Sequence, residues 1–329
     1  MMIGMIAFCG TVFFHYFHRE GVVVFFCLSA CVALYILRKQ WLGCLEGVVK
    51  SFDKTVQRLD NALDRKARAS SFRPNPDNYT SLEDLNCDLR ESGLESSNLI
   101  LAVDFTESNL ENGEGGTNLH DISCSTPNPY LQVIDIFWKA LRGYDDDGKI
   151  PTYMFGDEQT RNRSVQPLDP TVDDARCNGG EGIKEAYLKR LTEGPCKMSG
   201  PTNFAPAIRK AIEIVKEEQS HHILVIITDG AVVNARDTEE AIIEASHYPL
   251  SIVAVGVGTG GKGKNKDFAL MEKYDDELPE RAFDNFQFVN WTAMIKKYRT
   301  VERATIPFTI ASLQEVVDQK KDIQELRLL

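Results

Sequence analysis

Two unbroken apolar runs that each end at a carboxylate constrain this chain more than any other feature. Leu99 to Val103 leads into Asp104, Phe105, Thr106, Glu107 and Ser108, and Ile223 to Ile227 leads into Thr228, Asp229 and Gly230. Strand-forming runs that are apolar without alternation are strands buried on both faces, the condition of a parallel sheet. Alternate residues of an extended segment point the same way. A strand end also bends into a loop, so the oxygens of Asp104, Thr106 and Ser108 can converge beyond the sheet. Oxygens placed so suit a hard cation, which takes oxygen ligands in near-octahedral array. A third stretch answers them: Gly200 to Phe204 is a tight turn carrying the Thr202 hydroxyl, just before a helical pattern.

Strand and helix patterns alternate through the rest of this region. Thr80 to Glu83 reads as a capping box opening a short helix that Gly93 closes. Tyr130 to Leu141, Ile183 to Leu191, Ala205 to Glu218, Thr238 to Ser246 and Thr292 to Glu302 have helical spacing. Ile150 to Phe155, Leu250 to Val257 and Phe283 to Val289 read as strands, and Glu111 to Pro127 as a polar, glycine-rich loop. Phe308 to Leu328 reads as strand or helix and offers no zinc ligands. The expected fold class is α/β, a doubly wound, mostly parallel sheet with helices on both faces. In such sheets ligands sit beyond the carboxyl ends of the strands, where the strand order reverses. The strands ending at Asp104 and Asp229 would flank that point.

Charge and cysteine usage exclude several functions. With 37 basic and 48 acidic residues the net charge is −11, which argues against a nucleic-acid surface. Eight cysteines in 329 residues form no Cys-x-x-Cys pair, which removes zinc ribbons and cross-braced zinc sites. Buried free thiols in a reducing compartment are the simpler reading.

Residues 1–40 are a different material and read as a membrane anchor. Gly21 to Leu37 is apolar and reaches the lower length limit of a membrane span, with Arg38, Lys39 and Trp41 following as basic flank and interfacial anchor. The alternative is a start codon placed upstream of the true one, which would leave the protein in the cytoplasm or nucleus. In 41–69, Leu42, Leu45, Val49, Phe52, Val56, Leu59 and Leu63 recur at heptad spacing in a basic segment. That segment is either a self-associating helix beside an anionic membrane face or an amphipathic helix docked on its own domain. Residues 70–78 are a linker by composition.

The motif set Asp104-x-Thr106-x-Ser108, Thr202 and Thr228-Asp229-Gly230 resembles the metal-ion-dependent adhesion site of von Willebrand factor A domains. The stretches SSNLILAVDFTESN, YMFGD, GPTNFAPAI, YPLSIVAVGVG and DDELPERAFDNFQFVN resemble the copine branch and, more nearly, the plant RING-domain ligases. The resemblance covers residues 79–313, leaving 314–329 as a tail. It implies hydroxyl ligands from Thr106, Ser108 and Thr202, with Asp104 and Asp229 acting directly or through water. The cation implied is Mg²⁺, or else Mn²⁺ or Ca²⁺, and a partner's Asp or Glu would complete its shell. Thr106 stands where most of these domains have Ser, a change the copine branch shares. The function implied is cation-bridged protein recognition, with no catalytic residue of its own, and the apolar N-terminal run adds the expectation that it works on the cytosolic side of a membrane. The alternative is a RING-less component of ubiquitin ligation, acting beside a full-length RING ligase paralogue. Replacing Asp104 by Ala is expected to abolish metal-dependent binding and spare the fold, on the view that its carboxylate faces solvent.

One glycine-rich run competes for attention. Gly256 to Gly261 follows a strand and has the glycine spacing of a dinucleotide loop, and up to Lys262 that of a phosphate loop. No helical pattern opens directly after it, and Gly263 stands where magnesium needs Ser or Thr. A surface loop is the better reading.

Overall fold

The computed structural model describes residues 79–329 except 95–96, 144–147, 173, 194–195, 231, 233–234 and 261–267. The membrane-span candidate, the heptad segment and the linker lie outside the described residues. Among the described residues no helix is long and apolar enough to cross a membrane.

The sheet has seven strands: β1 (Ser97–Asp104), β2 (Lys149–Phe155), β3 (Gln166–Pro167), β4 (Arg176–Asn178), β5 (His221–Thr228), β6 (Leu250–Gly256) and β7 (Phe286–Asn290). Their order is β3-β2-β1-β5-β6-β7, with β4 also on β2. The five longer strands pair in parallel, while β3 and β4 run antiparallel to β2. The chain builds outward from β1 on one side, then returns to start β5 on the other. This is the doubly wound topology, with its switch point between β1 and β5. Val103 lies level with Ile227, so Asp104 and Thr228 end their strands side by side.

Alternate residues of each buried strand supply two separate cores, which is why the runs show no polar positions. Leu99, Leu101, Val103, Ile223, Val225, Ile227, Val253 and Val255 face one layer. That layer comprises α1 (Leu82–Glu91), α2 (Pro129–Leu141), α3 (Gly179–Thr192), α7 (Trp291–Tyr298) and α8 (Val301–Glu325). Ile100, Ala102, Leu224, Ile226, Ile252 and Ala254 face α4 (Ala205–Glu218), α5 (Ala235–Ala245) and α6 (Ala269–Asp276). At the opening of the strands the first face turns polar. Ser97 Oγ lies 2.7 Å from His221 Nδ1, and His221 Nε2 lies 3.0 Å from Ser251 Oγ, a hydrogen-bonded row across β1, β5 and β6. All three side chains are buried, and burial pushes the His221 imidazole well below its usual pKa.

Several ends differ from expectation. The cap of α1 is Ser81, one residue after Thr80, and Gly93 follows the helix with φ +77°. β7 begins three residues later than Phe283. The helical pattern near Thr292 breaks at Arg299, whose φ of +76° ends α7, and the chain restarts as α8 under a Thr300 cap. α8 runs on through Glu325, across the boundary drawn at 313, and Val316 and Val317 join the core. Val316→Ala should therefore cost about 2 kcal/mol from lost methyl burial and the cavity left behind. Urea unfolding checks this, and an unchanged midpoint would show that the helix end does not hold the domain together.

Candidate metal centre

The switch point gathers all five sequence-predicted oxygen donors. Asp104 closes β1, and Thr106 and Ser108 follow at the entrance of a short 3-10 turn, Glu107–Leu110. Asp229 follows the last residue of β5. Thr202 arrives on the loop before α4, which is stitched to the first loop by a parallel bridge between Thr106 and Ser199 and by Glu107 N donating to the Ser199 carbonyl at 2.5 Å, and to the end of β2 by Ser199 N donating to the Gly156 carbonyl at 3.0 Å. Ser108 Oγ donates to Asp229 Oδ1 at 2.9 Å, and Thr106 Oγ1 stands 3.5 Å from the same oxygen. Thr106 Oγ1 is 3.1 Å from Ser108 Oγ and 3.4 Å from Thr202 Oγ1. Asp104 Oδ1 accepts from Thr106 N at 2.8 Å, and its Oδ2 from the Thr228 hydroxyl at 2.6 Å.

The carboxylate of Asp104 is fully buried, which corrects the expectation of a solvent-facing one. Ala at this position would leave the Thr106 N–H and the Thr228 hydroxyl without their acceptor, so it would not spare the fold. Asp229 is buried as well. Burial pushes the Asp104 carboxyl up, and hydrogen bonds from Thr228 and Thr106 draw it part of the way back. Burial and then the Asp104 charge push Asp229 up, against hydrogen bonds from Ser108 and Asn112. Among the described residues no salt bridge reaches either carboxylate. Two buried negative charges held only by neutral donors call for a cation. A divalent ion would balance them, and three hydroxyls complete a donor set of hard oxygens. The residues present therefore fit such an ion.

The structure adds residues that sequence reasoning missed. Asn112 Nδ2 donates to Asp229 Oδ2 at 3.0 Å, and the Asn112 carbonyl accepts from Thr259 N at 2.9 Å. The glycine-rich run after β6 thus braces this loop: a Cβ on Gly258 would sit 2.5 Å from the Asn112 carbonyl oxygen. Gly156, at the end of β2, has φ +88°, and a Cβ there would stand 2.4 Å from Thr106 Cγ2. Gly156→Ala should destabilise the protein by about 2 kcal/mol through backbone strain and the displaced threonine. A thermal melt at wild-type temperature would contradict that close approach. Thr228 already stands in the Thr228-Asp229-Gly230 motif and Gly156 in the YMFGD stretch, but their contacts here, like those of Asn112, carry no spacing signal.

A doubly wound parallel sheet with an oxygen cluster across its switch point defines an α/β domain of the von Willebrand factor A type. The chain belongs to the copine family, whose model, described as Copine, matches residues 118–329. It is 42% identical over 255 residues to Copine family protein 2 of Caenorhabditis elegans, covering 76% of this chain and 3% of that protein. It is 41% identical over 269 residues to the E3 ubiquitin-protein ligase RGLG5 of Arabidopsis thaliana, covering 77% of this chain and 60% of the relative. It is 40% identical over 282 residues to RGLG1 of the same plant, covering 81% and 55%. The chain thus spans less than two thirds of each of these relatives. Among solved structures, manganese-loaded TRAP protein of Plasmodium vivax matches 65% of this chain and 74% of its own at 12% identity, with a TM-score of 0.38. So remote a match carries no argument.

Proposed function

We propose that the domain is a protein-binding module that works through a divalent cation held by Asp104, Thr106, Ser108, Thr202 and Asp229. One observation carries the reading: three hydroxyls and two buried carboxylates, with no basic counterpart among the described residues, meet at the end of β1 and β5. Mg²⁺ suits a donor set dominated by hydroxyls and water, with Mn²⁺ or Ca²⁺ as substitutes. The bound ion supplies an electrophilic centre to an incoming acid. The chain's own part is to orient the five oxygens and to keep the site's carboxylates out of bulk water. A partner offering Asp or Glu is the expected ligand. Calorimetric titration of the EDTA-treated full chain with MgCl₂ tests the site, and absence of binding up to roughly millimolar Mg²⁺ would refute it.

Two further parts of the proposal rest on other observations. The 40–41% identity to E3 ubiquitin-protein ligases supports a role in ubiquitination beside a RING-bearing relative. Auto-ubiquitination assayed with and without that relative decides it, and activity from this chain alone would displace the binding-module reading. The apolar run and basic flank of residues 21–39 support a membrane tether that leaves the domain in the cytosol. Extraction of a C-terminally tagged protein by alkaline carbonate would count against an integral anchor.

A further inference from the structure

Two hydrogen-bonded side-chain relays run from one turn of α2 to the loop that bears the site. In the first, Asn128 caps α2 by accepting from Leu131 N at 3.0 Å, and its Nδ2 donates to Tyr187 Oη at 3.1 Å. Tyr187, on α3, lies 2.6 Å from His120 Nδ1, and His120 Nε2 lies 3.0 Å from the Asp104 carbonyl oxygen. In the second, Tyr130 Oη donates to Asn109 Oδ1 at 2.6 Å, and Asn109 Nδ2 donates to the Thr106 carbonyl at 3.1 Å. The relays end on carbonyls two residues apart, in the segment carrying Asp104, Thr106 and Ser108. The two relays touch, because the His120 ring is stacked between Phe105 at 4.6 Å and Tyr130 at 4.1 Å. Every member is buried.

The first relay has a single direction. A backbone carbonyl only accepts, so the proton of His120 must sit on Nε2. The Nδ1 lone pair then takes the Tyr187 hydroxyl proton, and the Tyr187 oxygen takes an Asn128 amide proton. A phenylalanine could fill the space between Phe105 and Tyr130 equally well. What it could not supply is a donor on one side and an acceptor on the other.

We propose that His120 is the positioning residue of the cation site, holding the Asp104 carbonyl as its Nε2–H tautomer while the Tyr130–Asn109 relay holds Thr106. With both carbonyls held, the backbone between them has one course, and the ligand oxygens keep their aim without a cation to gather them. Outer-shell partners of this kind orient metal ligands and tune affinity. The proposal rests on the cation reading of the site.

The test combines a spectrum with affinities. Long-range ¹H–¹⁵N correlation of the full chain should show His120 as the neutral Nε2–H tautomer, with and without Mg²⁺. His120→Phe keeps the stack and removes both hydrogen bonds, so Mg²⁺ affinity should fall about tenfold or more. His120→Gln restores a donor and an acceptor and should recover most of that loss. Should the Phe variant fail to fold, Tyr187→Phe and Tyr130→Phe each remove one hydroxyl and should each weaken Mg²⁺ several-fold. An Nδ1–H tautomer, or Phe variants that bind Mg²⁺ like the wild type, overturns the proposal alone. A wild type that binds no Mg²⁺ overturns the cation reading beneath it.

Discussion

Asp104→Asn is expected to abolish Mg²⁺ binding and to raise the melting temperature of the metal-free protein. The substitution keeps the shape of the side chain and an oxygen to accept the Thr106 N–H, while its amide nitrogen takes the other position and can donate to the Thr228 hydroxyl instead of accepting from it. It removes one of two buried charges that repel each other. In the metal-free state the lost repulsion and desolvation cost are worth about 2 kcal/mol, or roughly 4–8 °C for a domain of this size. With a cation present the sign reverses, because a single carboxylate no longer balances a divalent ion and affinity should drop by about a hundredfold or more. Scanning fluorimetry with EDTA and with MgCl₂ reads both effects. A variant less stable than wild type in EDTA would mean that the carboxylates are not strained against each other, and the case for a cation would lose its electrostatic basis.

The second expectation concerns pH. Asp104 is pushed up to about 6 and Asp229 to about 7. Carboxyls raised in the folded state favour folding at low pH, and their cost to the metal-free fold grows as pH rises from about 4 through neutrality. A bound divalent cation removes that cost, while at low pH protons already occupy its place. The melting shift caused by Mg²⁺ should therefore be large near about pH 7.5 and shrink by roughly half or more near about pH 5. Taking the difference between loaded and metal-free melts cancels His221, which is buried far from the cluster and titrates alike in both. A shift that stayed constant across this range would mean that the cation does not compete with protons at these carboxylates.

Much of this was legible in the amino-acid sequence, for reasons that particular residues show. β1 and β5 announce themselves because both faces are covered, so nothing polar interrupts Leu99 to Val103 or Ile223 to Ile227. Asp104, Thr106, Ser108 and Asp229 are legible because they sit where such strands end, whereas Thr202, on the loop before α4, is picked out by its likeness to the adhesion-site motif. β3 and β4, of two and three residues, are too short to display a period. The break at Arg299 has no glycine or proline to mark it. The second half of α8 buries Gln314, Glu315, Gln319 and Lys320 beside its valines, which blurs the apolar stripe that would identify a helix. His120, Asn109 and Asn112 were hidden for a different reason. Their distant partners, the Tyr187 and Tyr130 hydroxyls and the Asp229 carboxylate, are brought near by the fold, and no fixed spacing precedes that meeting.

The Ser97–His221–Ser251 row has a consequence for how the strands find one another. Neighbouring parallel strands of near-uniform valine, isoleucine and leucine could slide by two residues without turning a side chain to the wrong face. Such a slip would strand hydroxyls and an imidazole against hydrocarbon, at about 1–3 kcal/mol for each abandoned group. The row therefore works as a latch at the starting ends of the strands, accepting one alignment. Because the strands are rigid, alignment at the latch carries through their whole length and brings the two acids level at the far end.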